Sequence, residues 1–415
     1  MIQSIYAGVS GLQSFQTGID VLANNIANVN TVGFRGSRTE FSNLFEKEVF
    51  SAADITSPQV GLGTQVTATS LDLKTGSYLQ SDNTTDLAIV GDDGWFGLRG
   101  QNDQDYFTRA GSFYFGPNET QTQVSLLDPE GHFVTGTLAN NTDSGLLAPP
   151  LESLALSDVG AQVPLIFPSE LTYPVQATSQ ADFIGNIGIE NLPQSVSATV
   201  ISPQSERNNL RLVFTQAANQ PATGIRWDVV ATTQNANGSI IYDTQTGVVD
   251  FDGSGGLISS TLGAIDNDGA PVIANLGTGF GGLTSNSGPA VTSSAAVDGV
   301  LAGDLSGYTI NRNAEVISSF TNGEQSVVGR VAIYHFQNDQ GLEAVTGTRF
   351  KTSDNSGQAI FYDQENGQVL SGTLENSNVE LSSALTELII MQRSYDATAK
   401  TITTSDQMLQ NALQM

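Results

Sequence analysis

Counting in sevens from Ile5 meets Leu12, Ile19 and Ile26, while Met1, Gly8, Phe15, Leu22 and Val29 recur in sevens on the adjoining row. A 3.5-residue period of this kind predicts a long amphipathic helix at the start of the chain. At the far end Leu381, Leu388, Tyr395, Ile402 and Leu409 repeat in the same way, beside a smaller, more polar row of Ala384, Met391, Thr398, Ser405 and Ala412. That pattern predicts a second helix from Leu381 to Leu413, longer than the usual globular helix. Its small second row suits helices that approach closely better than a two-chain zipper.

Between these ends the period drops to two. Segments 86–90, 105–109, 195–200, 210–214 and 328–334 read as short strands. Asp93-Gly94, Asn237-Gly238, Asp252-Gly253, Asp268-Gly269, Asp298-Gly299 and Asn322-Gly323 are turn signals of the kind that close hairpins. The reading is therefore a multidomain chain, mainly β, with α-helical ends. Residues 151–300 carry only Arg207, Arg211 and Arg226 against thirteen acidic residues, and read as an outward domain inserted into a second β domain. The Gly/Ser/Asn/Asp-rich run from Asp250 to Asp298 fits either a continuation of that domain or an irregular excursion.

Charge refines the picture of the ends. From Met1 to Thr31 the single charged side chain is Asp20, and the remaining polar groups are Ser, Gln, Thr and Asn. Solvated helix faces normally carry Lys, Glu and Arg. A face of short neutral groups can be covered by protein without desolvating charge, so both faces of this helix are expected to be buried in the working state.

Over 415 residues there are 42 Asp and Glu against 15 Lys and Arg, a formal charge of -27, and the cations are scattered singly. Nucleic-acid binding needs clustered cations, so that partner is excluded. There is no Cys, which removes disulfides and thiolate chemistry. The opening residues lack the basic start and apolar core of a cleavable secretory signal, and no run is apolar enough to span a membrane as a helix.

Catalytic chemistry finds little support. His132 and His335 are the only histidines and stand in no metal-binding spacing. Asp250-Phe251-Asp252-Gly253-Ser254-Gly255-Gly256 has the look of a calcium loop but lacks the alternating ligand set and the closing Glu. Asp92-Asp93-Gly94 reads as a turn rather than a carboxylate pair. No catalytic, cofactor or metal residue is assigned, and the chain reads as a non-enzyme.

The segment Ala23-Asn24-Asn25-Ile26-Ala27-Asn28-Val29-Asn30-Thr31-Val32-Gly33-Phe34-Arg35 resembles the N-terminal signature of the rod and hook axial proteins of the bacterial flagellum. Glu375-Asn376-Ser377-Asn378-Val379-Glu380-Leu381, Met391-Gln392-Arg393-Ser394-Tyr395 and 401–409 look like that family's other end. The resemblance is strong at both ends and weak across the centre. Residues 301–350 resemble the hook member with its outer domains, while the opening Met1–Tyr6 and closing Asp406–Gln410 look rod-like, which leaves a distal rod or other axial subunit as the alternative. An exported adhesin-like β protein is the remaining one.

The resemblance implies six parts: an N-terminal core helix (1–30), an extended connector with a hairpin (31–72), an inner β domain in two pieces (73–145 and 301–375), an inserted outer β domain (146–300) and a C-terminal core helix (376–415). The two helices are expected to pack as a coiled-coil-like inner core. Its assembly residues would be Ile5, Leu12, Phe15, Ile19, Leu22, Ile26 and Val29 at one end, and Leu381, Leu385, Leu388, Met391, Tyr395, Ile402 and Leu409 at the other.

The connector would use Asn25, Asn28, Gly33, Phe34, Arg35, Arg38 and Phe41, with Leu44, Phe45 and Phe50 as further apolar anchors and the two arginines meeting acidic neighbours. Implied partners are many copies of the chain, rod and hook–filament junction proteins, a cap during assembly and the flagellar export machinery. The implied location is outside the cell, reached without a cleavable signal.

Overall fold

The structure, a computed structural model, describes residues 2–44, 46–48, 59–118, 121–139, 162–288, 291–361 and 368–414. Met1, Phe45, Phe50 and the expected boundary at 145/146 lie outside them. Helix α1 runs Ile2–Ala27 and α2 runs Leu381–Leu413, about 39 and 50 Å long at 1.5 Å per residue. They lie antiparallel. Ser4 meets Ser405, and Gly8, Gly11 and Gly18 face Ile402, Thr398 and Met391.

The strands form a mixed-α/β molecule whose bulk is β. An inner sheet has the spatial order Thr172–Tyr173, Gly303–Ile310, Glu315–Phe320, Gln325–Val331, Phe133–Leu138, Trp95–Arg99, Asp105–Thr108, Arg349–Lys351 and Glu343–Ala344. Segments from before and after the central part of the chain therefore share one sheet. Its core gathers Leu87, Phe96, Leu98, Leu126, Val134, Phe167, Val316, Val328 and neighbours.

A second core lies between two further sheets. One is an antiparallel meander of Gln194–Ile201, Arg207–Gln216, Ile225–Asn235, Ile241–Phe251 and Leu257–Ser260. The other sets Gln180–Asn186 beside Pro271–Asn275, Leu283–Thr284 and Val291–Val297. Alternation decides which face is covered: Leu210, Leu212 and Phe214 on one strand and Trp227, Val229 and Ala231 on the next are buried, and their in-between neighbours are not. The Asp250–Asp298 run thus supplies strands rather than an irregular excursion among the described residues.

Four of the six turn signals close hairpins between paired strands: Asn237-Gly238, Asp252-Gly253, Asp268-Gly269 and Asn322-Gly323. Asp93-Gly94 and Asp298-Gly299 instead join strands that do not pair with each other. A local turn can pass the chain between sheets as readily as reverse it. The supposed calcium loop is a hairpin turn in which Asp252 Oδ1 accepts the backbone N–H groups of Ser254 and Gly256.

Candidate functional site

The two signatures that stand at opposite ends of the sequence meet in space. Helix α1 stops where asparagines offer the backbone other partners: Asn28 Nδ2 donates to Asn24 O at 2.9 Å, and Thr31 Oγ1 donates to Asn28 Oδ1 at 3.1 Å. Asn25, buried, reaches across the break to the next strand, donating to Ser37 O at 2.6 Å and accepting from Ser37 N at 3.0 Å. Asn378, ahead of α2, accepts from Gly36 N at 2.8 Å and donates to Asp72 O and Lys74 O. Side-chain amides thus do the work of ladder hydrogen bonds between segments that belong to no common sheet.

Gly33 is the pivot of this junction. Its φ of 68° is the left-handed region, and a Cβ there would lie 2.3 Å from the backbone nitrogen of Ala110. Only glycine meets both demands. Its N–H donates to Glu375 O at 2.7 Å.

Beside it sits a buried ionic cluster. The Glu375 carboxylate, 1 % exposed, lies 3.0 Å from Arg35 and 3.3 Å from Arg109, whose side chains are 1 % and 0 % exposed. It also accepts Gly76 N–H at 2.9 Å. Arg35 donates to Lys74 O, and Arg109 donates to Gly91 O and stacks over Trp95 at 5.8 Å. Burial, and then the charge of Arg35, lower the Arg109 pKa to about 10, with Glu375 opposing them. Hydrogen bonds from Thr75 hold the nearby Asp92 carboxyl below its ordinary range. Three segments, 33–37, 109–110 and 375–378, are bound together here.

The connector does not run free from this point. Strands Ser37–Asn43 and Thr64–Leu71 pair antiparallel with a bulge at Glu40/Phe41 and lie along α1. Ser14 Oγ donates to Thr64 O at 3.1 Å, and the ring of Phe41 stands 6.0 Å from that of Phe15. At its far end Gln340 clamps the backbone of Leu71, accepting at 2.8 Å and donating at 2.7 Å.

The other expected residues fall into clear groups. On α1, Leu22 is buried and Ile5, Leu12, Phe15, Ile19 and Ile26 are half-buried, as are Val29 and Phe34 beyond the helix. On α2, Leu388, Met391, Tyr395, Ile402 and Leu409 are half-buried, whereas Leu381 and Leu385 are exposed. Arg35 meets an acidic partner within its own chain. Arg38 stays in solvent with Glu40 at 3.6 Å and a hydrogen bond to Ser70.

Two features escaped sequence reasoning. Gly8, which stands in the row with Phe15 and Leu22, is joined by Gly11 and Gly18 in facing α2, and a Cβ on Gly8 would be 2.6 Å from Ile402 Cγ1. The spacing Gly11–Gly18–Asn25, again in sevens, was the available signal. Arg109 had none, because its partners are distant in sequence.

Among the described residues one group of metal-ligand type occurs, Asp128, Glu130 and His132. Arg349 sits in it, 2.6 Å from Glu130 and 2.8 Å from His132 Nδ1, with its guanidinium over Tyr106. The arrangement is a cross-brace, its anionic charge already answered by a cation.

A family model described as "Flagella basal body rod protein" matches residues 5–35, and one described as "Flagellar basal body rod FlgEFG protein C-terminal" matches residues 370–415. These are the two halves of the junction. The chain is 27% identical over 448 residues to the flagellar hook protein FlgE of Borreliella burgdorferi, covering 100% of both chains. It is 26% identical to the flagellar hook protein FlgE of Escherichia coli, covering 97% of each. The structure of the flagellar hook protein FlgE2 of Helicobacter pylori is similar with a TM-score of 0.51 at 14% identity, over 70% of this chain and 98% of that one, a likeness of fold. With both terminal signatures matched and the alignments running through the divergent centre, the chain is similar over its length to the flagellar hook proteins among the axial proteins of the flagellum.

Proposed function

We propose that this chain is the structural subunit of a flagellar hook, polymerising into a flexible helical tube that surrounds an export channel and joins rod to filament as a universal joint. The observation that carries the reading is the uncovered side of the helix pair. Leu381, Leu385, Ile389 and Ile390 on α2 are 45, 43, 52 and 56 % exposed, and Tyr6 and Val9 on α1 are exposed as well. Full burial of a Leu or Ile contributes ~1.5–3 kcal/mol and closing the exposed half of one roughly half of that, so neighbouring copies that close these faces would stabilise a coiled-coil-like inner wall. Helices in proteins draw most of their stability from packing of an apolar face. The subunits would be exported and assemble outside the cell, with rod and junction proteins at the two ends of the tube and a cap guiding growth. The fold supports a structural rather than a catalytic role.

Bending asks contacts between stacked subunits to lengthen and shorten. The Ser/Thr/Asn-rich outer β surfaces suit small, wet contacts that tolerate displacement, while the helices provide continuity. Electron microscopy of concentrated full-length protein should reveal tubes, curved and polymorphic. Straight tubes would favour a rod role, and discrete stalks would overturn assembly of this kind. A chain trimmed of residues 1–28 and 380–415 should form no tube. In hydrogen exchange, both helices should be far less protected in free subunits than in the polymer.

Within the polymer, Gly8→Ala should lower protection across both helices. Helix propensity alone would favour alanine by about 1 kcal/mol, so a loss identifies the close contact with Ile402 as the dominant effect. Adding Ile402→Ala should restore much of the protection by making room for the new methyl.

A further inference from the structure

The inner and outer β cores have no residue in common: one includes Tyr173 and Ile310, the other begins at Ala181 and includes Leu283. The chain passes between them twice, through 174–180 on the way out and 296–302 on the way back. Two bodies joined by a narrow two-stranded neck ordinarily move relative to each other, since a two-stranded ribbon alone is marginal. The bonds inside this neck therefore decide how freely the outer body turns.

They are unusually directional. Gln176 and Val300 exchange backbone hydrogen bonds of 2.9 and 2.8 Å. One step further out, Asp298 on the returning leg accepts from Ser179 N at 2.9 Å and Gln180 N at 3.0 Å with Oδ1, and from the Ser179 hydroxyl with Oδ2. Hydrogen bonds to a carboxylate are about twice as strong as neutral ones. Burial pushes the Asp298 pKa up, but the hydrogen bonds from Ser179 and Gln180 outweigh it and keep the group below its ordinary value.

The outgoing leg is in turn fixed to the outer body. Thr178, fully buried, donates its N–H to Ile201 O at 3.0 Å and accepts Ile201 N–H on its hydroxyl at 2.8 Å. Gly299 lets the legs close up, for a Cβ there would lie 2.1 Å from the Thr178 hydroxyl. On the inner side, Ala302 N donates to Ser205 Oγ in a turn of the outer body at 2.9 Å.

We propose that Asp298 is an orientation latch: its carboxylate binds the two legs of the neck side by side and so fixes the angle of the outer β body on the inner one. The property belongs to the single chain, whether or not it polymerises. In an assembly it would transmit displacement of one outer body rigidly to its own inner body and leave the adjustment to contacts between subunits.

The absence of cysteine makes the test direct. Gln101→Cys on the inner body and Ala236→Cys on the outer body, both exposed positions, carry spin labels in the otherwise full-length chain, and the distance distribution is measured. One narrow distribution is expected. Asp298→Ala should broaden it and shift its mean, and Ser179→Ala should do so by less, because the two backbone donors remain. Amide protection inside each body should stay unchanged. Asp298→Asn, which keeps one acceptor oxygen, should lie between and serves if the alanine variant folds poorly. An unchanged width in Asp298→Ala or Asp298→Asn with both bodies folded would overturn the proposal, as would a distribution already broad in the parent chain.

Discussion

Glu375→Ala should destabilise the inner body by roughly 3–5 kcal/mol, the usual result of stripping one partner from a buried ionic group. The side chain is 1 % exposed and faces two guanidinium groups that are just as dry. Without it, Arg35 and Arg109 confront each other inside the protein, and the burial that already lowers the Arg109 pKa to about 10 would lose its counterweight. Glu375→Gln should lose most of the same stability, since the amide retains shape and the bond from Gly76 but not the charge. Replacing all three residues by methionine should recover a large part, because the cost lies in an unmatched charge rather than in the missing ion pair. Urea unfolding of the inner body measures all three. A small loss for the alanine variant, within about 0.5 kcal/mol as at ordinary surface sites, would show that the cluster does not hold the junction.

Such a junction is legible in the sequence only in halves. Asn25, Asn28, Gly33 and Arg35 stand out at one end and Glu375 to Asn378 at the other, yet their contact spans more than three hundred residues and no local period reports it. What local periods do report came through well. Helix α2 has the bounds that its row of sevens predicts, and the strands near 87, 105, 195 and 210 lie where alternation puts them, while the strand expected at 328–334 is divided at Ala332 between Gln325–Val331 and Ile333–His335, which pair with different neighbours. The part of the glycine contact made by Gly11 and Gly18 was hidden for a physical reason: a seam built for close approach is made of small residues, which a search for apolar side chains passes over. Asp298-Gly299 looked like a hairpin because its chemistry is that of a turn. Its partners, Ser179 and Gln180, were again far off in sequence.

The largest effect on assembly is expected from the uncovered row of α2. Leu381, Leu385 and Ile389 follow one another at i, i+4 and i+8 on a flank that α1 does not reach, whereas Met391, Thr398 and Ile402 face α1. Leu385→Asp with Ile389→Asp should leave the single chain folded as before, because a carboxylate at either position can still reach water, the native side chains being 43 and 52 % exposed. In a polymer the same carboxylates would have to enter an apolar contact, forfeiting roughly half of the ~1.5–3 kcal/mol that full burial of each would contribute before any cost of desolvating charge. The concentration needed for polymerisation should then rise at least about tenfold, since each 1.4 kcal/mol is a factor of ten. Met391→Asp, on the covered side, should instead separate the helices of one chain. Sedimentation across a concentration series, with circular dichroism of the soluble fraction, distinguishes the two outcomes. If the double variant polymerises at the parent concentration, the exposed row is not where copies meet, and the contact between subunits must be sought on α1 or on the β bodies.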